Sequence, residues 1–165
     1  MNSEIKKNKI ICIGNRLIPE DAFAMDVYDL LAVQNPLSGI EIIEGGIGGL
    51  NLLGHLENGG NIVFVDTISG FSQNKIVVLN QQEIIDSLET EDFHYGHDSG
   101  IAYLLSVLPL VCDTPLPDAV FLVGFEVQQF TRECQSMDKI IEKAAAMSLE
   151  IALNGYFEEK GYVLT

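Results

Sequence analysis

Acidic and histidine side chains are the groups in this sequence best suited to bind a metal ion. Asp66 directly follows a run of four apolar residues, and Asp21 lies in the polar segment after the first apolar run. His94 and His97 lie in FHYGHDSG, just before a helical pattern. Two carboxylates and one imidazole bind a divalent transition metal and leave coordination positions open. Because these residues are far apart in sequence, a site exists only if the fold brings them together.

Nucleophile and phosphate-binding motifs are not found in this chain. It has no GxSxG elbow and no HExxH pair. The segment 14–21 has one glycine and no hydroxyl side chain, and it ends in two carboxylates that would repel a phosphate. His55 lies in a short helical pattern and is expected to be structural or exposed. These observations disfavour nucleotide-binding folds and hydrolases that use a serine.

The three cysteines, Cys12, Cys112 and Cys134, form no CxxC pair. Cys12 lies inside an apolar run, Cys112 at the end of a helical pattern and Cys134 in a polar stretch, so none is presented as a nucleophile at a strand-to-helix turn. We expect reduced, buried thiols of a cytoplasmic protein.

Composition excludes several classes of protein. The chain has 165 residues, a formal net charge of −15 and 47% hydrophobic residues. Its apolar content excludes a disordered chain, and its acidity disfavours a nucleic-acid partner or an anionic membrane surface. No stretch approaches the roughly 20 apolar residues of a membrane helix. We therefore expect a cytoplasmic protein with no nucleic-acid or membrane partner.

Alternating apolar runs and helical patterns predict the elements that must position these side chains. Strands are predicted at 10–13, 40–43, 62–65, 75–79 and 119–123, and helices at 19–34, 50–56, 98–111 and 138–153, with Ser136 as a cap and Gly155 as a stop. The polar stretch 81–92 is predicted as a loop with at most a helical turn.

The order of elements predicts an α/β fold. We expect a single-domain three-layer sandwich with a mostly parallel five-stranded sheet, one antiparallel edge strand at 75–79, and helices on both faces. The domain is predicted to span 1–155, with a C-terminal tail at 156–165. Ligands of such sheets bind where the strand order reverses, which right-handed crossovers place between the first and third strands. Asp21, Asp66 and one imidazole are therefore expected to meet at that edge.

Several blocks resemble the hydrogenase maturation proteases, in the order of that family. IGNRLIPEDAFAMDV at 13–27 resembles the GNxLxxDDGxG block that opens these proteins, and EGGIGGLNLL at 44–53 resembles their next, glycine-containing segment. IVFVDTISG at 62–70 is similar to their third-strand block, and HDSGIAYLLSVL at 97–108 to the start of a later helix. VGFEVQ at 123–128 resembles their last strand.

The resemblance implies an activity and a set of ligands. Members of the family are single-domain endopeptidases that remove a C-terminal extension from the large subunit of nickel-iron hydrogenases after nickel insertion, with no serine or cysteine nucleophile. The implied nickel ligands are Asp21, Asp66 and His97, with Glu20 and His94 as alternates. The nickel is expected to arrive with the substrate, and cadmium to substitute for it in crystals.

The resemblance also implies how the substrate is held. Asn15 is expected to shape the first loop. The segment 44–50, with Gly45, Gly46 and Gly48, is expected to hold an extended substrate chain by backbone pairing. A plain tight turn is the alternative for these glycines. The expected partner is a hydrogenase large-subunit precursor, bound by a monomer or weak homo-oligomer.

One departure from the family pattern keeps other functions open. The acidic pair and glycine of the family are Glu20-Asp21-Ala22 here, and a later glycine is Ala24. A non-catalytic, metal-dependent chaperone or docking module of the same fold is therefore an alternative. A small-molecule-binding α/β domain without a metal is another.

Overall fold

A computed structural model of the chain describes residues 5–34, 39–68, 75–87, 100–126 and 137–158, apart from the side chain of residue 20. The strands are β1 Lys7–Cys12, β2 Ile40–Glu44, β3 Gly59–Thr67, β4 Ile76–Asn80 and β5 Ala119–Phe125. The α-helices are α1 Phe23–Gln34, α2 Leu53–Leu56, α3 Gln81–Asp86, α4 Gly100–Val111 and α5 Met137–Asn154. Two 3₁₀ turns, Pro19–Asp21 and Leu50–Leu52, precede α1 and α2.

The five strands form one sheet in the order β2-β1-β3-β5-β4. β1 pairs in parallel with β2 and β3, and β3 pairs in parallel with β5. β4 lies at the edge and pairs antiparallel with β5. The chain leaves β1 toward β2 and returns to place β3 on the other side of β1. The strand order therefore reverses between β1 and β3, as predicted.

The apolar strands are continuous in sequence because both faces of the sheet are covered. Ile62 and Phe64 of β3 pack on one face with residues of α2, α3 and α4. Val63 and Val65 pack on the opposite face with residues of α1 and α5. The predicted single α/β domain, with helices on both faces of a mostly parallel sheet, is confirmed.

Some predicted elements differ in extent. A helix, α3, occupies residues 81–86, where a loop is predicted. Asn80 caps it, because its Oδ1 accepts the Glu83 amide at 2.9 Å while Glu83 Oε2 accepts the Asn80 amide at 3.2 Å. Such a capping box satisfies two amides that a short helix otherwise leaves unpaired. β3 begins at Gly59, three residues earlier than the strand predicted from position 62.

The predicted end of the last helix is confirmed. Gly155 has φ 72° and its amide donates to Ile151 O at 2.8 Å, a backbone conformation that glycine adopts without strain. Ser136 lies outside the described residues. The tail is described only to residue 158, so the predicted boundary at 155 stays a prediction. Within the described ranges, no helix has the length and apolar character needed to cross a membrane.

Candidate functional site

The loop after β1 is closed by backbone hydrogen bonds at the switch point. The Gly14 amide donates to Gly46 O at 2.9 Å, which ties this loop to the one after β2. The Asn15 amide donates to Asp21 O at 3.1 Å. A Cβ on Gly14 would lie 2.4 Å from that same Asp21 oxygen, so only glycine permits the closure. The main chain of Asp21 is thereby fixed over the end of β1.

Thr67 connects the two predicted acidic ligands. Its hydroxyl donates to Asp21 Oδ1 at 3.1 Å, and its amide donates to Asp66 Oδ1 at 2.8 Å. Asp66 is fully buried and Asp21 is 9% exposed. Asp66 is the last but one residue of β3, whereas the sequence predicts it directly after the strand. The fold therefore brings the two carboxylates to the same end of the sheet, as the topology argument predicts.

A third buried carboxylate, Glu126, follows the end of β5 and is 5% exposed. β5 lies beside β3, with Thr67 opposite Phe125, and the Ile68 amide donates to Phe125 O at 3.0 Å. Glu126 therefore lies at the same end of the sheet as Asp66. Sequence analysis missed it, although the signal was the one used for Asp66: an acid directly after an apolar strand.

The first loop is shaped by Asn15. Its Oδ1 accepts the Leu17 amide at 2.9 Å, which forms an Asx turn within the loop. The exposed Arg16 makes a two-pronged ion pair with Asp29, with Nη1 2.6 Å from Oδ2 and Nη2 2.9 Å from Oδ1. Hydrogen bonding to Arg16 lowers the pKa of the Asp29 carboxyl. Arg16 Nε also lies 3.4 Å from Glu44 Oε1, so this side chain links the loop to α1 and β2.

The glycine segment after β2 forms a tight turn. Gly46 and Gly48 have φ of 61° and 79°, and the Gly48 amide donates to Gly45 O at 3.3 Å. The Gly45 amide donates to Cys12 O at 2.7 Å, which extends the pairing of β2 with β1. Binding of substrate by Gly45, Gly46 and Gly48 stays a prediction. A Cβ on Gly100, at the start of α4, would lie 3.8 Å from the amide nitrogen of Gly49, so α4 begins against this turn.

The histidines predicted as ligands, His97 and His94, lie outside the described residues. His97 precedes Gly100 by three positions. The side chain of Glu20 is likewise not described. In the ranges that the structure covers, no group of three or more His, Cys, Asp or Glu side chains is arranged to hold a metal ion. Of the predicted ligands, the described site therefore contributes Asp21 and Asp66.

The described cysteines, Cys12 and Cys112, are free thiols. Cys12 is fully buried in β1, and this burial, with smaller effects of Glu44 and Asp29, raises the pKa of its thiol. Cys112 is half-buried instead of buried as predicted, and its Sγ lies 3.1 Å from Thr114 Oγ1. Cys134 lies outside the described residues. Neither described thiol is presented as a nucleophile.

His55 lies in α2, and its backbone carbonyl oxygen accepts a 2.7 Å hydrogen bond from Lys9 Nζ.

Comparison with known proteins identifies relatives of this chain. The profile of the HycI hydrogenase maturation protease family matches residues 25–155. No curated protein matches the chain. The solved structure of the hydrogenase maturating endopeptidase HybD from E. coli superposes with a TM-score of 0.71, at 20% sequence identity, covering 90% of this chain and 93% of that one.

A second structure shows the same fold. The [NiFe] hydrogenase maturation protease HybD from Thermococcus kodakarensis superposes with a TM-score of 0.63 at 21% identity, covering 88% of this chain and 99% of that one. At these identities the likeness of structures shows the fold alone. The family profile covers well over half of the chain, although it begins after the loop that carries Asp21. The chain therefore belongs to the hydrogenase maturation protease family.

Proposed function

We propose that this protein is an endopeptidase that removes the C-terminal extension of a nickel-iron hydrogenase large-subunit precursor after nickel insertion. Family membership supports protease activity on such a precursor. The observation that carries the proposal is the pair of buried acids, Asp21 and Asp66, joined through Thr67 where the strand order reverses. Ligands of open α/β sheets bind at that edge. The expected setting is the cytoplasm, with the protein acting as a monomer or weak homo-oligomer.

The nickel belongs to the substrate in this proposal. Asp21, Asp66 and His97 would hold the nickel that the precursor carries, with Glu20 and His94 as alternate ligands. Carboxylate oxygens and an imidazole nitrogen suit a divalent transition metal, and cadmium would substitute for nickel at the same donors. Recognition of the metal would make cleavage depend on nickel insertion, because a precursor without nickel lacks the group that these side chains bind.

The proposed reaction uses no serine or cysteine of this chain as a nucleophile. Cys12 is buried and its pKa is raised, so its thiol stays protonated near neutral pH. What the described residues supply is positioning. Asn15 and Gly14 shape the loop that fixes Asp21, and Thr67 orients the Asp21 carboxylate. The turn containing Gly45, Gly46 and Gly48 would bind the extended chain that is cut.

The departure from the family pattern at Ala22 does not strain this loop. Ala22 has φ −86° and ψ −11°, which any L-residue adopts, so a glycine is not required there. Ala24 is fully buried in α1, where its side chain packs in the core beneath the loop. The altered block therefore leaves the loop unstrained, and the non-catalytic docking module stays the alternative to be tested.

The proposal is tested by incubating the protein with nickel-loaded precursor and measuring the mass of the large subunit. Loss of the C-terminal extension is expected with the wild-type protein and not with a variant carrying Asp21→Asn, Asp66→Asn and His97→Ala. Unchanged cleavage by that variant would show that the site lies elsewhere. Tight binding of the precursor with no mass loss under any metal condition would instead establish the docking module. Failure of nickel and cadmium to bind these side chains would favour a small-molecule-binding domain.

A further inference from the structure

An open groove lies between α1 and α5, on the outer surface of the domain. It encloses about 560 Å³, and Leu30 and Val33 of α1 and Ile141 of α5 supply apolar side chains to its lining. Val33 is 84% exposed. The groove therefore leaves apolar side chains of both helices in contact with water.

The rim of this groove is acidic. Asp26, Asp138 and Glu142 line it, and among the described residues no basic side chain does. Burial raises the pKa of the Asp26 carboxyl, and the nearby charges of Asp29 and Asp138 raise it further, against an opposing effect of Arg16. None of these three rim acids forms an ion pair with a cation of the described ranges. Positive charge entering the groove would therefore meet three carboxylates with which no described cation forms an ion pair.

One end of the rim already binds a guanidinium. Asp29 also lines the groove, and it receives both Nη atoms of Arg16, a side chain of the loop after β1. The guanidinium lies 6.0 Å from the centre of the Tyr28 ring. A planar, two-pronged pairing of this kind is the geometry by which arginine recognises carboxylates. The pairing of Asp29 with Arg16 thus shows that a carboxylate of this groove binds a guanidinium.

The groove starts beside the candidate functional site. α1 begins at Phe23, two residues after Asp21, and the Asp26 amide donates to Ala22 O at 3.0 Å. The rim acid Asp26 is therefore connected through one backbone hydrogen bond to the loop that carries the metal-binding carboxylate. A large protein engaged at the site lies next to the groove.

We infer that the groove between α1 and α5 binds a Lys- or Arg-bearing amphipathic segment of the hydrogenase precursor, at a distance from the bond that is cut. The inference rests on the proposed function. An amphipathic helix that lays its apolar face into such a groove would place its basic residues against Asp26, Asp138 and Glu142. Contacts of this kind raise the affinity for the whole precursor without acting on the reacting bond, so they lower KM and leave kcat unchanged.

The charge of the rim is tested with two variants of the same helix. Glu142→Lys reverses a rim acid, and Glu150→Lys makes the same change outside the groove. With nickel-loaded precursor, Glu142→Lys is expected to raise KM about threefold to tenfold at low salt with kcat unchanged, and Glu150→Lys to leave KM unchanged. High salt should remove most of the difference, because it screens exposed charges.

The apolar lining is tested with a second matched pair. Val33→Ser removes an aliphatic side chain from the groove, and Leu110→Ser removes one that is 83% exposed on α4, on the opposite face of the sheet. Both positions are exposed, so both variants are expected to fold. We expect Val33→Ser to raise KM about threefold and Leu110→Ser to leave it unchanged.

The same samples separate this inference from the proposed function. The dissociation constant of each variant for the precursor is measured by calorimetry beside the cleavage assay. If the wild-type protein does not cleave the precursor, the proposed function fails, while the dissociation constants still report on the groove. Equal dissociation constants for Glu142→Lys and Glu150→Lys, and for Val33→Ser and Leu110→Ser, would overturn the groove inference even if cleavage is normal.

Discussion

The hydroxyl of Thr67 donates a 3.1 Å hydrogen bond to Asp21 Oδ1, across 46 positions of sequence. The bond joins the last residue of β3 to the loop after β1, so it spans the point where the strand order reverses. Thr67 is 6% exposed, which shields the bond from competing water. This contact gives the Asp21 carboxylate a fixed orientation beside Asp66.

Removal of that hydroxyl tests whether the orientation matters. Thr67→Val keeps the shape of the side chain but leaves a buried carboxylate oxygen without this donor, which costs about 1–3 kcal/mol of unfolding free energy. Loss of a group that orients a metal ligand lowers metal affinity by roughly tenfold to a hundredfold. Cadmium titration calorimetry and urea denaturation measure the two effects. Thr67→Ser retains the hydroxyl and should behave nearly as wild type. A loss in Thr67→Ser with none in Thr67→Val would show that packing of the methyl group, and not the hydrogen bond, is important.

The closure of the first loop is tested at Gly14. Gly14→Ala places a Cβ 2.4 Å from Asp21 O, so the loop must open, and we expect a loss of about 1–3 kcal/mol in unfolding free energy. Gly54→Ala is the matched control, because a Cβ on this α2 residue meets no atom within 4 Å and alanine favours helix. Thermal denaturation should therefore show a lower melting temperature for Gly14→Ala alone. Similar melting temperatures for the two variants would mean that the loop tolerates displacement of Asp21.

The strands were predictable because both faces of the sheet are buried. The run 62–65 is continuously apolar for that reason, and such runs are short and bounded by turn residues. The position of Asp66 near the end of β3 was predictable because it follows that run. The reversal of strand order between β1 and β3 follows from the handedness of parallel crossovers, which needs no tertiary information.

Other features depend on contacts that no local pattern reveals. The polar sequence of α3 carries little periodicity, and the helix starts at the capping box of Asn80 and Glu83. The role of Thr67 arises from a tertiary hydrogen bond to Asp21. Glu126 differs from these, because its position after β5 carried a usable signal.

Two acids of α1 should change stability with pH in opposite directions. The pKa of Asp26 is raised above its ordinary value of 3.8, chiefly by burial, so the folded state binds its proton more tightly and is destabilised as pH rises through that pKa. The pKa of Asp29 is lowered, chiefly by its hydrogen bonds to Arg16. The Asp29 carboxylate therefore stabilises the folded state at pH values above its ordinary pKa, and this stabilisation is lost as pH falls through the lowered pKa. Near neutral pH, Asp26→Asn should raise the unfolding free energy and Asp29→Asn should lower it. Each change is expected to be roughly a few tenths of a kcal/mol, because Asp26 is only partly buried and Asp29 is exposed.

Urea denaturation at neutral and at strongly acidic pH measures these differences. Both are expected to disappear at acidic pH, where the carboxylates are protonated in the folded and unfolded states alike. A stabilisation by Asp29→Asn near neutral pH would contradict the pairing with Arg16 that the structure shows. Loss of stability in Asp26→Asn would indicate that Asp26 has a cationic partner.

The proposed histidine ligand is testable with three single variants. His97→Ala is expected to weaken cadmium binding by at least about tenfold, because loss of a direct ligand exceeds the usual effect of losing a group that only orients one. His94→Ala is expected to have little effect, and the converse result would assign His94 as the ligand. His55→Ala serves as the control. The carbonyl oxygen of His55 is bound by Lys9, in the first half of β1, whereas Asp21 and Asp66 lie at the opposite end of the sheet. Calorimetric titration measures all three affinities. Binding unaffected by both His97→Ala and His94→Ala would show that no histidine of this segment completes the site.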